Sequence, residues 1–435
     1  MCFTIIVLLT LCCNSDYQNL KQKYSTESIN YFYETAFFQD YVGKINVVNK
    51  WNEDIYLYID GDFSTNDISN IKNTISQLDS LLLPINIYMT SDSLLANLFI
   101  YFGNYSYLEE KMGLNNYEPF VGVGQIIEKK SHIKSAVVGF ANNAPRYNRP
   151  NEIDNTKLRQ AIILEEVTQC LGLIGDSWHY PNSIFFEGGV CESILNDIDK
   201  DAVKFLYECS IPAEYRREQF EEDFGDVLYH INAPQKIADY VFVNNIPFHF
   251  LEYIREKCFH DSILVKCPSK IYIKLKGDYS QEDIDLCKNA VSLFNTVSNQ
   301  FELILENTDI RRIPCINIYY EYDNKRTITT IERQIATSNM MFPRRIESEI
   351  KVTYTEMSRK EINIMIFSCL YKSLGFDNNN SNDIMKFDSL GGISFSPDYK
   401  EMLALIYEPV FYSGLTLKEF EKALEILKAK GYSNE

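Results

Sequence analysis

Short runs of alternating apolar and polar residues occur twice in the chain, each followed by a helical pattern. The runs Ile55–Ile59 and Ile271–Leu275 are rich in aromatic and branched side chains, which favours strands. Ser64 and Ser280 then precede acidic residues, as helix N-caps do. The apolar spacing that follows predicts one helix in each place, at residues 68–82 and 284–297. The two segments therefore follow the same plan.

The similarity between these segments extends over most of the chain. Two further strand-like runs follow each predicted helix, at residues 85–89 and 98–102, and again at residues 301–305 and 316–320. Later, Ile162–Leu173 aligns with Met365–Phe376, and two closing helical stretches end at Tyr207 and Tyr407. We interpret this pattern as a tandem duplication. The alternative is a pair of unrelated α/β domains with a similar pattern.

The length of 435 residues suits two domains, and 46% hydrophobic residues indicate a globular chain. We assign one domain to residues 25–225 and a second, more diverged copy to residues 240–430. The linker is expected between residues 224 and 239, where Gly225 and Pro234 interrupt the periodicity. Because each copy mixes strands with helices, the predicted fold class is α+β, with a mixed sheet packed on helices in each domain.

Residues 1–13 resemble an export leader. The apolar run Phe3–Leu11 is too short to span a bilayer and has the length of a signal-peptide core. Leu9–Cys12 resembles a bacterial lipobox, although no Lys or Arg precedes the apolar run and no small residue precedes Cys12. We expect export to the periplasm, outer membrane or cell surface, with a lipid anchor at Cys12 or Cys13. The alternative is a buried N-terminal strand in a cytoplasmic protein.

The charge balance restricts the partners. The chain carries 60 acidic and 42 basic residues, a formal net charge of −18. Such a field repels phosphate backbones and anionic lipid surfaces, so we expect no nucleic-acid partner. Among the eleven cysteines, Cys170, Cys287 and Cys369 fall among apolar residues in predicted helices, where a free thiol acts as a small hydrophobe.

The segment Leu164–Asp176 concentrates the candidate functional residues. Glu165 and Gln169 lie four residues apart, which places them on one helix face, one turn above the other. Apolar neighbours pack the remaining face, and Gly172, which aligns with Gly375 of the second copy, can end the helix.

This segment resembles the metzincin signature HExxHxxGxxH. Glu166 and Gly172 match the signature, whereas Glu165 and Gln169 replace its first two histidines and Gly175 replaces the third. The two closing helices also resemble the LSPDDxxxxxxLY pattern of matrix-type metzincins. The resemblance implies two zincin-like (metzincin-like) domains in which the zinc-binding residues have been replaced.

More narrowly, residues 30–221 resemble an uncharacterised family of bacterial secreted and lipoprotein domains. Its members are regarded as degenerate zincins, and their activity is not established. The second copy follows the same plan more weakly.

The residues at the three metal-ligand positions of the motif argue against a zinc enzyme. Catalytic zinc prefers imidazole and thiolate and needs three protein ligands plus an open position. Glu165 can coordinate zinc, but Gln169 is a weak ligand and Gly175 has no side chain. We therefore expect no catalytic metal and no cofactor. One alternative is a hard cation such as calcium, held by Glu165, Gln169 and Asp176. Another is a zinc site that recruits further residues from the set Asp176, His179, Glu187 and Glu192.

The second copy is predicted to be a scaffold. Ser368, Cys369 and Lys372 occupy its three equivalent positions, and a lysine there opposes a bound cation. A nucleophilic Cys369 is the alternative, but no histidine is near it in the sequence.

In the first copy, Glu165 and Gln169 can instead hydrogen-bond to loops over the helix and so replace the structural role of a metal. Buried carboxylates and amides need such partners. Arg146, Arg149 and Arg159 are close in sequence and could supply charge-assisted bonds.

Three functions are compatible with these features. We favour a non-catalytic module that binds a peptide or protein, which zincin clefts hold along an edge strand; we take Ala136–Ala141 as that strand. Aromatic residues expected to line the groove are Tyr147, Trp178, Tyr180 and Phe185. The second function is a metal-dependent, peptidase-like hydrolase with Glu166 as general base. The third is a purely architectural lipoprotein.

Overall fold

The computed structural model places the described part of the chain in two compact units, one ending at Leu228 and the other beginning at Tyr229. The described residues are 17–39, 43–44, 46–113, 120–143, 155–177, 180, 182–186, 192–260, 263–264, 270–298, 301–306, 315–321, 328–333, 347–353, 370, 374, 385–387, 393–412 and 415–432. Cys12 and Cys13 therefore lie outside them. Within the described residues, no helix is both long and apolar enough to cross a bilayer.

The first unit is built on a mixed five-stranded sheet. In chain order its strands are β3 (Ile55–Gly61), β4 (Ile87–Met89), β5 (Leu98–Gly103), β6 (Gly122–Lys129) and β7 (His132–Ala141), and their spatial order is β4-β3-β5-β7-β6. A two-stranded ribbon precedes them, formed by β1 (Phe38–Gln39) and β2 (Gly43–Lys44). The pairings among β4, β3, β5 and β7 are parallel, whereas β6 runs antiparallel to β7.

Six labelled helices accompany this sheet, and residues 17–23 are also helical. The labelled helices are α1 (Thr26–Phe37), α2 (Thr65–Leu78), α3 (Tyr105–Met112), α4 (Asn155–Gln169), α5 (Asp197–Leu206) and α6 (Arg217–Phe224). A 3-10 turn, Asp79–Leu81, extends α2. The first unit is thus a mixed α/β fold with helices packed on the sheet.

The predicted cap of α2 is confirmed. The Ser64 hydroxyl oxygen accepts a hydrogen bond from the Asp67 backbone N–H, and the Asp67 carboxylate accepts one from the Ser64 N–H at 2.8 Å. This reciprocal capping box satisfies two donors that the first turn leaves without helical partners. The helix runs from Thr65 to Leu78. It therefore begins three residues before the predicted start at Ile68 and ends four residues before the predicted end at Leu82.

An aromatic cluster joins helices α1, α5 and α6. The ring centroid of Phe32 lies 4.6 Å from that of Phe205 and 5.6 Å from that of Phe220. The rings of Tyr33 and Phe37 also contact Phe220, at 5.9 and 5.5 Å. All five side chains are buried. Burial of each ring stabilises the fold by roughly 1.5–3 kcal/mol, so the first and last labelled helices of this unit share one core.

The second unit contains a sheet with the same strand order. Its strands are β10 (Lys270–Gly277), β11 (Glu302–Leu305), β12 (Cys315–Glu321), β13 (Ile328–Arg333) and β14 (Glu347–Thr353), arranged β11-β10-β12-β14-β13. As in the first unit, only the pairing of the last strand in this order, β13 with β14, is antiparallel.

The remaining described elements of the second unit are helices and two short ribbons. The helices are α7 (Ala233–Val243), α8 (Phe248–Lys257), α9 (Gln281–Asn295), α10 (Pro397–Ile406) and α11 (Leu417–Ala429). The ribbons pair β8 (Phe259–His260) with β9 (Ile263–Leu264), and β15 (Met385–Phe387) with β16 (Ile393–Phe395). Ser280 and Asp283 form the predicted capping box of α9.

Two sequence interpretations need correction. The predicted edge strand Ala136–Ala141 belongs to β7, which pairs with β5 on one side and β6 on the other, so it lies inside the sheet. Strand order is a long-range property that the local pattern of β7 does not encode. Pro234, expected to interrupt the periodicity in the linker, lies instead in the first turn of α7. A proline is tolerated there because the first N–H groups have no helical partner.

Candidate functional site

Helix α4 follows β7 and carries the motif at its C-terminal end. Its last residue is Gln169, three residues before Gly172, the glycine expected to end the helix. Val167 and Thr168 are buried, whereas Glu165 and Glu166 are half-buried. The acidic pair therefore lies on the side of the helix that solvent still reaches.

The chain leaves α4 through a tight turn at Gly172. Its backbone N–H donates to the Gln169 carbonyl oxygen at 2.9 Å, and its φ is +119°, a value that side-chain-bearing residues rarely adopt. An ideal Cβ at Gly172 lies only 2.0 Å from the Asn49 carbonyl oxygen. The turn therefore requires glycine both for its dihedral angle and for space.

Two aromatic side chains hold the end of α4. The Trp51 indole N–H donates to the Cys170 carbonyl oxygen at 2.9 Å, and the Tyr207 hydroxyl donates to the Leu171 carbonyl oxygen at 3.0 Å. Both carbonyl groups lie just beyond the last residue of α4, so the two side chains fix the chain where it leaves the helix. No local sequence pattern indicates this role for Trp51. Tyr207 ends the closing helix that resembles the LSPDDxxxxxxLY pattern, but the pattern does not predict this hydrogen bond.

Gln169 is engaged by the loop that follows the helix. Its side-chain Nε2 donates to Asp176 Oδ1 at 2.9 Å. Two motif residues seven positions apart are thus brought together, and both side chains are half-buried. This is the kind of bond that the polar-network interpretation predicts for Gln169.

Gly175 occupies the position of the third metzincin histidine, and it has no room for a side chain. Its N–H donates to the Thr35 carbonyl oxygen at 2.8 Å. An ideal Cβ lies 1.9 Å from the Phe38 carbonyl oxygen and 3.0 Å from that of Glu34. Backbone atoms of the α1–β1 junction therefore fill the space where a third ligand would project.

Glu166 lies against the edge strand β6. An ideal Cβ placed on Gly122 lies 3.0 Å from Glu166 Oε1, and one placed on Gly124 lies 3.3 Å from Oε2. The same position on Gly124 lies 3.1 Å from the Cys170 sulfur. Two glycines thus let the strand approach the helix so closely that the carboxylate occupies the space that their side chains would need.

Cys170 is buried beneath the same strand. Burial, and secondarily the Glu166 carboxylate, raise the pKa of the Cys170 thiol well above its ordinary value. A protonated thiol is a poor nucleophile. Cys170 therefore packs as a small apolar side chain, as the sequence predicts.

The residues present do not fit a three-ligand zinc site. Glu165 offers carboxylate oxygen, the Gln169 amide is bonded to Asp176, and Gly175 can carry no donor. Among the described residues, which include Glu192, no group of three His, Cys, Asp or Glu side chains is placed to hold a metal. His179 and Glu187 lie outside the described residues.

Arg159 contacts helix α2 and two aromatic rings of the sheet. Its Nε lies 2.9 Å from Asp67 Oδ1, and its guanidinium lies over the Phe102 ring at 4.9 Å and the Phe140 ring at 5.5 Å. It also donates to Asn142 Oδ1 at 2.8 Å. The arginine expected to partner the motif carboxylates thus links α4 to the cap of α2. Arg146 and Arg149 lie outside the described residues.

The predicted aromatic groove is only partly described. Phe185 is fully buried, so its assignment to a groove wall is wrong; it packs near the buried Tyr31 instead. Tyr180 is half-buried and meets the Tyr31 ring edge-on, with centroids 4.9 Å apart. Tyr147 and Trp178 lie outside the described residues.

A buried polar network close to the motif was not anticipated. The Tyr31 hydroxyl donates to Asp199 Oδ1 at 2.6 Å and is hydrogen-bonded to the Ser183 hydroxyl. The other Asp199 oxygen accepts from the backbone N–H groups of Asn196 and Ile184. Burial raises the pKa of Asp199 to about 6, although these hydrogen bonds oppose the rise. The Asn196-to-Asp199 spacing of a capping box was the available signal.

The second unit repeats the tyrosine contact. The Tyr407 hydroxyl donates to the Leu374 carbonyl oxygen at 3.2 Å, and the two residues align with Tyr207 and Leu171. Ser368, Cys369 and Lys372 lie outside the described residues, so the predicted scaffold role of that segment is not visible.

No curated protein matches the chain. A family match, however, spans most of the first unit, from the N-cap of α1 into α6. It therefore includes the whole motif segment and most of the aromatic cluster. Residues 25–222 match the family described as "Protein of unknown function (DUF2927)", an uncharacterised family to which the first unit is thus similar.

Proposed function

We propose that this protein is an exported, non-catalytic binding protein made of two copies of a degenerate zincin-like unit. The first unit holds an extended peptide or protein segment along β6, and a lipid on Cys12 or Cys13 anchors the chain. The single observation that carries the non-catalytic part is the Gln169–Asp176 hydrogen bond.

This bond replaces a metal as the link between helix α4 and the loop after it. In a metal site, ligands from the helix and the loop converge on one ion. Here the amide of Gln169 bonds directly to the carboxylate of Asp176, and Gly175 packs against the Phe38 carbonyl. Protein contacts thus link the loop to the helix, which supports a retained shape without retained chemistry.

Three shared features support duplication. Both sheets have the same strand order and the same single antiparallel pairing. Gly61 and Gly277 both have positive φ, and an ideal Cβ at either one lies about 2 Å from a carbonyl oxygen of the neighbouring strand. The pairs Tyr207–Leu171 and Tyr407–Leu374 form the same hydrogen bond. Unrelated domains would have to reach all three independently.

Strand β6 supports the binding role because it ends the sheet order. The Ala141 N–H donates to the directly opposite Val121 carbonyl at 3.0 Å. Residues facing each other across an antiparallel pair alternate between bonded and non-bonded pairs. Gly122, Gly124 and Ile126 therefore direct their backbone N–H and C=O groups away from β7. An extended peptide can pair with these groups by strand addition.

The usable length of this edge is limited. The register with β7 shifts between Ile127 and Glu128. A bulge of this kind twists an edge strand and discourages further pairing. The proposed docking segment is therefore Gly122–Ile126, beside the Glu166 carboxylate.

A proline substitution tests the docking segment. Ile126→Pro removes one outward N–H, and the matched variant Ile126→Ala removes the same side chain but keeps that N–H. The probe is a phage-displayed library of random twelve-residue peptides, selected on the wild-type protein. We expect enriched peptides that bind wild type and Ile126→Ala but lose about tenfold or more in affinity for Ile126→Pro. Equal binding to both variants, or no enrichment over an unrelated protein, contradicts the docking site.

The alternative function is a metal-dependent hydrolase with oxygen ligands, using Glu166 as general base. The observation that favours it is Glu166, which stands at the position of the metzincin general base and is only half-buried. Metal content is measured by mass spectrometry after dialysis with zinc or calcium, for wild type, Glu165→Ala and Gln169→Ala. The non-catalytic proposal expects no stoichiometric metal. One metal per chain, lost in both variants, contradicts the non-catalytic proposal and makes peptidase assays the next test of the alternative.

The lipid anchor has its own test. The full chain is expressed in a bacterium fed an alkyne-labelled fatty acid, beside the variants Cys12→Ser and Cys13→Ser. Labelling lost in one variant identifies the acylated cysteine. An unlabelled wild-type chain in the soluble fraction contradicts the anchor.

A further inference from the structure

The sheet of the first unit carries aromatic rings on the face opposite α4. Gly122 and Gly124 direct their Cβ positions toward α4, so the alternate residues of the sheet point the other way. On the outward face, β3, β4 and β5 contribute five aromatic residues: Tyr56, Tyr58, Tyr88, Phe99 and Tyr101. We call this set the aromatic platform.

The strand register arranges the platform in rows. Tyr56 is directly opposite Tyr88, and their rings stack with centroids 5.6 Å apart. Tyr58 is directly opposite Phe99, with centroids 6.3 Å apart. The Phe99 and Tyr101 rings are nearly parallel, at 16°. Successive rows are two residues apart along the strands, or about 6.6 Å.

The platform remains accessible. Tyr56 is 37% exposed and Tyr88 is 46% exposed, and the other three rings are half-buried. An exposed apolar patch on a soluble protein commonly marks a binding surface. Helix α3 borders one end of it, where Tyr107 meets the Tyr101 ring edge-on.

The described strands of the second unit do not repeat the full set of platform residues, although Tyr319 aligns with Tyr101. The residues aligned with Tyr56, Tyr58 and Phe99 are Tyr272, Lys274 and Asn317, and all three are buried. Two of the three rings are thus replaced by polar side chains. Because Lys274 and Asn317 carry no ring, the shared sheet does not require aromatic residues at these two positions.

Polar groups border the rings on the α3 side. Lys111 Nζ lies 5.8 Å from the Tyr101 ring centroid, 5.5 Å from that of Tyr107, and 3.6 Å from Asp60 Oδ2. Burial and the Asp60 carboxylate raise the pKa of Tyr107 to about 12, and burial raises that of Tyr101. The tyrosine hydroxyls are therefore uncharged and can both donate and accept hydrogen bonds.

We propose that the aromatic platform binds an uncharged glycan chain. The C–H faces of a pyranose ring are apolar and pack flat on aromatic rings, while its hydroxyls need hydrogen-bond partners at the edges. Two exposed and three half-buried rings, bordered by tyrosine hydroxyls, Asp60 and Lys111, supply both. Successive rows provide stacking sites for successive sugar units.

The charge of the protein favours an uncharged glycan over a single-stranded nucleic acid, whose bases also stack on aromatic side chains. Nucleic-acid binding needs a positively charged groove to follow the phosphates. Lys111 is already paired with Asp60, and the whole chain carries a formal charge of −18. An uncharged polymer meets no such repulsion.

Isothermal titration calorimetry on the full chain tests the proposal with three uncharged hexasaccharides: β-1,4-linked N-acetylglucosamine, β-1,4-linked glucose and α-1,4-linked glucose. We expect at least one to bind. Tyr58→Ala and Phe99→Ala should each weaken that binding by about tenfold or more, since stacking on one aromatic ring contributes on this scale. Tyr58→Phe keeps the ring and should retain most of the affinity.

Two controls make the result specific. Tyr319→Ala alters the second-unit residue aligned with Tyr101 and should leave glycan affinity unchanged. Circular dichroism checks that each variant is folded. Failure of all three hexasaccharides to bind, or equal affinity in the ring-deleted variants, overturns the proposal. Binding of a twelve-nucleotide oligothymidylate without glycan binding assigns the platform to nucleic acid instead. Ile126→Pro should not change glycan affinity, so this test is independent of the proposed peptide site.

Discussion

The Tyr207 hydroxyl donates a hydrogen bond to the carbonyl oxygen of Leu171, at 3.0 Å, just beyond the last turn of the motif helix. The same hydroxyl lies 3.4 Å from the Trp51 backbone N–H, which donates to it. A single phenol thus connects α5, the end of α4 and the segment before β3. Tyr407 makes the equivalent contact with Leu374 in the second unit.

Removing this hydroxyl should destabilise one unit at a time. Tyr207→Phe leaves the Leu171 carbonyl without this partner, which costs about 1–2 kcal/mol. Both tryptophans of the chain, Trp51 and Trp178, belong to the first unit, so tryptophan fluorescence during urea unfolding reports on that unit. We expect Tyr207→Phe to lower the fluorescence midpoint and the matched Tyr407→Phe to leave it nearly unchanged. Equal shifts of the midpoint in the two variants would contradict the prediction that each hydroxyl stabilises only its own unit.

The close approach at Gly175 predicts a steric penalty without a dihedral penalty. Gly175→Ala places a methyl group against the Phe38 carbonyl, at an unrelaxed distance of 1.9 Å, and should cost about 3 kcal/mol. Gly113→Ala is the matched control: its φ is +67°, but no atom lies within 4 Å of an added Cβ. That control should cost only about 1 kcal/mol. A larger loss of unfolding free energy in Gly113→Ala than in Gly175→Ala would show that the backbone of the α1–β1 junction moves to accommodate the added methyl group.

Asp199 predicts a stability that falls as the pH rises. Its pKa in the folded protein is about 6, above the ordinary value of 3.8, so the folded state binds more protons between these values. Stability is then lost from about pH 4 to pH 6, by about 3 kcal/mol in total. Asp199→Asn removes this titration. We expect the difference between wild type and variant, followed by tryptophan fluorescence, to change across this window; a constant difference contradicts the raised pKa.

The Arg159–Asp67 pair should contribute far more than an exposed pair. Both side chains are largely buried, at 12% and 9% exposed, and the guanidinium also covers two rings. Arg159→Ala should lower the free energy of unfolding by about 3 kcal/mol, because it removes the ionic partner of the buried Asp67 carboxylate and the contacts with two rings. Lys134→Ala breaks the exposed pair with Glu53 and should cost less than about 0.5 kcal/mol. Similar losses in urea unfolding contradict this ranking.

The parts of the fold that the sequence predicts are those set by neighbours in the chain. The strands at Ile55 and Ile271 follow from alternation, and the caps at Ser64 and Ser280 follow from an acidic residue three positions later. Strand β6 was not predicted because Gly122 and Gly124 weaken its apolar pattern. Its place at the edge depends on pairing with β7.

The candidate site shows the same division. A loop partner for Gln169 is predictable in kind, because a half-buried amide needs one, but the identity of Asp176 depends on how the turn at Gly172 folds back. Arg159 lies six residues before Glu165, yet its partner is Asp67, on another helix. The contact of Gly175 with the Phe38 carbonyl joins segments more than 130 positions apart, and no local pattern indicates it.

The aromatic cluster of α1, α5 and α6 has a consequence for vectorial synthesis. Phe32 and Phe37 emerge from the ribosome early, but their partner Phe220 is among the last residues of the unit to be made. Helix α1 therefore lacks part of its apolar core until nearly the whole unit has been synthesised. Packing of α1 into its full aromatic core is thus delayed until Phe220 has been made. A truncation before Phe220 leaves the aromatic face of α1 exposed to water, and aggregation rather than partial folding is the expected result.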